Sequence, residues 1–199
     1  MTDRKTLYSG LTGAAWGYFL LYVDFNIGPV SILPRFAGYL MLLEAIRDLA
    51  GERRDLALLR PLGILLAVWN AGDWLLSWGG LDIDGHILFA DLLIAAAQLY
   101  FHFQFLTDMA ALAERYCAPE GRLDLRILRQ RNLYVLLITA ICLIQTVNGG
   151  FGSAVWSNGA AVVLMIFAIV LSIALMLNLF TLRACFKEAG SDIPGAPSA

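Results

Sequence analysis

Asp91, Gln98 and His102 stand at i, i+7 and i+11, a spacing that places all three within about 20° of one stripe on an α-helix. An acid, an amide and an imidazole on one helix face can bind a cation, relay a proton or hold a polar solute. The imidazole changes charge near neutral pH. Asn70, Asp73 and Ser77, at i, i+3 and i+7, form a second polar face, and Glu44 is followed by Arg47 and Asp48 at ion-pairing distances along a helix. Gln145, Asn148 and Asn178 add amides to the same inventory. Ser9, Gly13 and Gly17 recur every fourth residue, which flattens one helix face and allows another helix to approach closely. Asp24 follows Gly13 by about three turns and falls on the same stripe.

No established catalytic constellation accompanies these residues. Asp82-Ile-Asp84-Gly85 opens like a calcium loop and lacks the later ligands and the closing glutamate. Asn148-Gly-Gly-Phe-Gly-Ser153 is glycine-rich without a following lysine, so it makes no phosphate loop. His86 and His102 are a helix length apart, and neither an HExxH nor a GxSxG string occurs. Cys117, Cys142 and Cys185 include no CxxC pair and read as packing residues or free thiols. No cofactor or metal site is expected.

The elements that must position the polar residues follow from composition. Hydrophobic residues are 59% of the 199 and charged residues 15%, against roughly a quarter charged in soluble domains. The apolar residues come in six blocks at about 7–27, 34–50, 61–79, 86–106, 132–149 and 160–182, near the roughly 20 residues that cross about 30 Å of hydrocarbon. The expected fold is all-α, a single polytopic transmembrane bundle of six spans, with residues 189–199 a disordered tail. Arg4 and Lys5 ahead of the first block resemble the start of a secretory signal, but no cleavage site follows, and the block reads as a retained span.

Orientation follows from the fourteen basic residues. With the N-terminus inside, Arg35 alone faces out; the remaining thirteen lie in inner segments. Cytoplasmic loops hold such an excess, so both ends are expected in the cytoplasm. Trp74, Trp78 and Trp156 fall at the outer interface, where an aromatic belt belongs. Residues 107–132 read as an inner extension of the fourth helix, broken at Pro119 and Gly121, then a basic amphipathic start to the fifth. Its Arg122, Arg126, Arg129 and Arg131 suit anionic lipid headgroups, and equally a solvated topology signal. Net charge is −2, which gives no argument for nucleic acid. Residues 24–34, with two prolines and a glycine, form either a tight external loop or a re-entrant turn.

The string Asp24-Phe25-Asn26-Ile27-Gly28, then Ile32-Leu33-Pro34, Phe36 and Gly38-Tyr39, resembles a segment of small polytopic bacterial membrane proteins to which no activity is assigned. This chain has Arg35 where that pattern often carries an acidic residue. The resemblance covers roughly residues 20–50 and implies a bacterial inner-membrane location, without chemistry.

On these residues the leading expectation is a structural or accessory membrane component, homo-oligomeric or a partner subunit, with the polar stripes holding helices together. The alternative is a proton- or cation-linked carrier or channel. In it Asp24, Asp73 and Asp91 line an outward-facing acidic cavity with Asn70 and Gln98, and Glu44 with His102 forms the inner end. An enzyme ranks third.

Overall fold

The computed structural model describes residues 4–22, 26–27, 30–31, 34–78, 88–117, 121–147 and 158–188. Seven helices occupy them in the order α1 (Arg4–Tyr22), α2 (Arg35–Leu49), α3 (Arg54–Leu58), α4 (Arg60–Ser77), α5 (Leu88–Tyr116), α6 (Leu123–Val147) and α7 (Asn158–Glu188). Each follows a local cause. Pro34, in extended conformation, caps α2, and Pro61 sits in the first turn of α4, where its missing N–H costs nothing. Helix α5 runs to Tyr116, ten residues past the expected block end at 106, carrying Arg115 in its last turn where the helix dipole favours a cation.

Two differences from the expected boundaries matter. The first apolar block ends as helix at Tyr22, and a two-residue antiparallel ribbon follows, Asn26 facing Ser31 and Ile27 facing Val30. Its backbone bonds are made within the segment, as any excursion into hydrocarbon requires. The short α3 between Arg54 and Leu58 went unforeseen because five residues carry no periodic signal. The acidic turn at 82–85, the glycine-rich turn at 148–153, Asp24, Trp156 and the 189–199 tail lie outside the described residues.

Helix α1 packs chiefly on α2 and α7, α2 also on α4, α5 on α6, and α6 on α7. The α1–α2 crossing is set by glycine. A Cβ built on Gly38 would stand 2.8 Å from the Gly17 carbonyl oxygen, and one on Gly17 would stand 3.0 Å from that of Gly38. The two backbones therefore touch where only hydrogen fits. Gly10 belongs to this face, its Cβ position lying 3.0 Å from Asp48 Cβ, whereas Ser9 is exposed. The expected stripe of Ser9, Gly13 and Gly17 is thus shifted at its inner end by one residue.

Inside the bundle lie Leu11, Tyr18, Leu42, Ile46, Leu66, Phe101, Phe105 and Leu179, all buried. Outside, large apolar side chains face away from the protein: Leu40, Val68 and Leu75 on α2 and α4, Phe89 and Leu93 on α5, Val163, Val170 and Leu177 on α7. An apolar exterior this extensive marks a surface for membrane or protein contact. Among the described residues two helices, Phe89–Tyr116 and Ile166–Phe186, are long and apolar enough to cross a bilayer, which points to membrane association. The other expected spans are not shown by that standard among the described residues. Helix α2, with 15 residues, is too short for it.

At the arginine-rich end the helices are tied by polar bonds. Glu52 accepts from Arg115 Nη1 at 3.2 Å and from the Tyr116 hydroxyl at 2.8 Å. Arg53 Nε lies 3.7 Å from Asp108, which is 1% exposed. Asn178 donates to Gln130 at 2.7 Å, joining α7 to α6. Cys117 and Cys185, expected as unrelated thiols, form a disulfide between the ends of α5 and α7. Their 68-residue separation hid the pairing, because only tertiary packing brings those helix ends together.

Candidate functional site: a polar cavity between six helices

A cavity of about 310 Å³ opens inside the bundle, lined from α1, α2, α4, α5, α6 and α7. Its polar walls are Arg35 and Tyr39 of α2, Asn70 of α4, Gln98 and His102 of α5, Tyr134 of α6 and Ser172 of α7. Leu21, Leu137, Ile138 and Ala168 supply the apolar remainder. Arg35 is exposed at the first residue of α2, so the cavity reaches the surface there, while His102 and Ser172 are buried at its depth.

The periodicity of α5 explains why two of these residues share a wall. Gln98 and His102 are four apart, one above the other on one face, and both line the cavity. His102 is held from two sides. Its Nδ1 lies 3.0 Å from the Tyr18 hydroxyl and its Nε2 lies 3.5 Å from the Tyr39 hydroxyl. A neutral imidazole has one donor and one acceptor nitrogen, so one hydroxyl donates to it while the other accepts. The rings of Phe101 and Tyr134 stand edge-on to it at 5.5 and 5.6 Å. His102 is thus a positioned hydrogen-bonding floor.

The amides above it differ in freedom. Asn70 turns its Nδ2 back to the Leu66 carbonyl at 2.7 Å, which leaves its oxygen as an acceptor. Ser172 donates to the Ala168 carbonyl at 2.7 Å. Gln98 has no hydrogen-bond partner among the described residues. A solute in this space meets a guanidinium at the rim, amide donors and acceptors on the walls, and phenol and imidazole groups below.

The expected acidic cavity is not what lines this space. Among the described residues no carboxylate lines it. Asp73 and Asp91 are both half-buried, and Asp73 Oδ1 is buried without a hydrogen-bond partner, but neither borders the cavity. Glu44 lies apart from His102: it is exposed on the outer side of α2, paired with Arg47 at 3.2 Å and lining a separate groove with α1. The reason is phase, because Tyr39 and Leu42 are the α2 residues turned inward, and Glu44 falls between the buried Leu42 and Ala45 on the opposite side. Among the residues expected to form the pathway, Asn70, Gln98 and His102 converge; Asp73, Asp91 and Glu44 do not join them.

Arg35, Tyr39, Tyr134 and Ser172 were missed as site residues. Arg35 had been counted only as the lone outer cation, and tyrosine and serine in an apolar helix give no signal without knowledge of which face is internal. Of the four arginines considered for headgroup contact, Arg122, Arg126 and Arg129 are exposed. Arg131 instead turns back onto α5, donating to Thr107 at 2.7 Å with its guanidinium 4.2 Å from the Phe103 ring centre.

Comparison with protein-family models, with curated proteins and with solved structures finds no match to this chain.

Proposed function

We propose that this protein is a six-span integral membrane protein of the bacterial inner membrane, both ends cytoplasmic, that binds and passes a small polar solute through the Arg35–His102 cavity. The single observation that carries the reading is the cavity itself. Its volume of about 310 Å³ falls at the lower end of the range that holds small ligands. Side chains from six helices converge on it, whereas polar residues that serve only packing pair with one another across an interface. Its donor-rich lining, with no carboxylate among the described residues, favours a neutral or anionic solute with several acceptor oxygens over a metal cation. Arg122, just before α6, and Arg126 and Arg129 on it, all exposed, would hold the inner end against anionic headgroups.

The rival reading is a structural or accessory component, self-associating or bound to a partner subunit. It draws on the close α1–α2 crossing at Gly17 and Gly38.

Single cysteines at Asn70, Gln98, Tyr134 and Ser172, on a background with Cys117, Cys142 and Cys185 replaced by serine, separate the two. Membrane-impermeant maleimide added outside should label the cavity positions and leave the lipid-facing controls Leu93→Cys and Val170→Cys unmodified. Uniform protection of the four cavity positions would favour the structural reading. Reporters fused after Gly80 and after Gly150 should both report the outer side if the chain threads six times.

A further inference from the structure

A second space lies on the outside of the bundle, a groove of about 400 Å³ between α1, α2 and α7. It is graded along its length. Tyr8 and Ser9 of α1, Asp48 of α2 and Arg183 of α7 line it near the arginine-rich end; Gly13, Trp16, Met41 and Ala45 line it further in. Tyr8 is four residues from the start of α1, Asp48 one from the end of α2 and Arg183 five from the end of α7, so all three lie within about 8 Å of their helix ends, at headgroup level if these helices cross the bilayer.

Among the described side chains the charges of this groove are not paired one to one. Glu44 and Asp48 share one cation, Arg47, at 3.2 and 3.5 Å, which leaves one negative charge over. Arg183 has no carboxylate within 4.0 Å among the described residues. It donates to the Tyr8 hydroxyl and lies over the Tyr8 ring, 4.5 Å from its centre. Its Nε is buried with no acceptor. A donor so placed costs stability unless an acceptor reaches it.

We infer that this groove binds a zwitterionic phospholipid of the inner leaflet whose headgroup carries a phosphate and a primary ammonium, as phosphatidylethanolamine does. The phosphate accepts from the Arg183 guanidinium where it lines the groove, with the Tyr8 and Ser9 hydroxyls beside it. The ammonium donates to the Glu44–Asp48 carboxylates, which hold the charge left over by Arg47. One acyl chain lies along Gly13, Trp16, Met41 and Ala45, where the absence of a side chain at Gly13 makes the channel. A phosphatidylglycerol headgroup satisfies Arg183 and is repelled by the carboxylates, and a phosphatidylcholine headgroup has no N–H to donate. The inference rests on the membrane reading above.

The test is native mass spectrometry of the full-length protein in detergent, titrated with phosphatidylethanolamine, phosphatidylglycerol or phosphatidylcholine. Wild type should retain phosphatidylethanolamine about tenfold better than either other lipid, the loss of one charge-assisted contact being of that size. Arg183→Gln should lose that retention for all three lipids. Glu44→Gln with Asp48→Asn should keep lipid and lose the discrimination against phosphatidylglycerol. Equal retention of the three lipids by wild type, or unchanged retention by an Arg183→Gln protein with wild-type melting, overturns the inference, as does displacement of the lipid by millimolar inorganic phosphate, which would mark a plain anion site. Failure of the membrane reading shows separately, as extraction of the chain from membranes by alkaline carbonate.

Discussion

Gly38→Ala is the sharpest probe of the fold, because its neighbour on the same interface provides the control. A Cβ at Gly38 meets the Gly17 carbonyl oxygen at 2.8 Å and Leu21 Cγ at 2.8 Å. The first is backbone and cannot turn aside, so α1 and α2 must separate by several tenths of an ångström along their main contact. Overpacking of this kind costs about 1–3 kcal/mol. Alanine regains up to about 1 kcal/mol of helix propensity, an amount that shrinks in lipid, where the helices persist in the unfolded reference state. The expected net loss is about 1–2 kcal/mol. At Gly13 the same methyl meets the Met41 carbonyl oxygen at 3.6 Å and Ala45 Cβ at 3.8 Å, which is ordinary contact, so Gly13→Ala should be neutral or slightly stabilising. Thermal unfolding of both variants in the same detergent, followed by intrinsic tryptophan fluorescence or by light scattering, reads the difference. Equal melting temperatures for the two would refute the glycine-set crossing.

Replacing Asp108 by alanine strands Arg53 and empties a 1%-exposed site; we expect a loss of about 2 kcal/mol in detergent unfolding, less than for a wholly buried pair because the Arg53 side chain is 39% exposed. Without reductant, a denatured sample should yield one maleimide-reactive thiol per chain, Cys142, and three after reduction, since Cys117 and Cys185 are bonded. Under the chain-entropy account Cys117→Ser costs up to about 4 kcal/mol for a loop of this length, measurable as a lowered melting temperature that added reductant does not lower further. The same labelling in intact cells tests orientation: with a cytoplasmic arginine-rich end the pair is reduced in growing cells and oxidises only on isolation, and a pair found oxidised in cells refutes that orientation. Tyr18→Phe removes the 3.0 Å contact to His102 Nδ1 and should destabilise by about 1 kcal/mol, with solute binding in the cavity weakened in calorimetry; unchanged melting and binding together would show that His102 needs no positioning.

The sequence by itself determined the all-helical class of the fold. Long apolar blocks with few charges imply helices, two of them long and apolar enough to cross a bilayer, and α5 ends at Tyr116 before α6 begins at Leu123, a break expected there. The inward face of α5 was legible too, because Gln98 and His102 interrupt an otherwise apolar run at helical spacing. What only the tertiary structure decided is the phase of each helix against its neighbours. Glu44 and Tyr39 are five residues apart on α2, yet a rotation fixed by the Gly17–Gly38 contact sends Tyr39 to the cavity and Glu44 to the outer groove. Arg35, Tyr134 and Ser172 meet in space from three helices, and Cys117 meets Cys185 across 68 residues. Periodicity along one helix says which residues share a face; which faces meet depends on packing between helices, and one chain's residue order does not encode that in any local pattern.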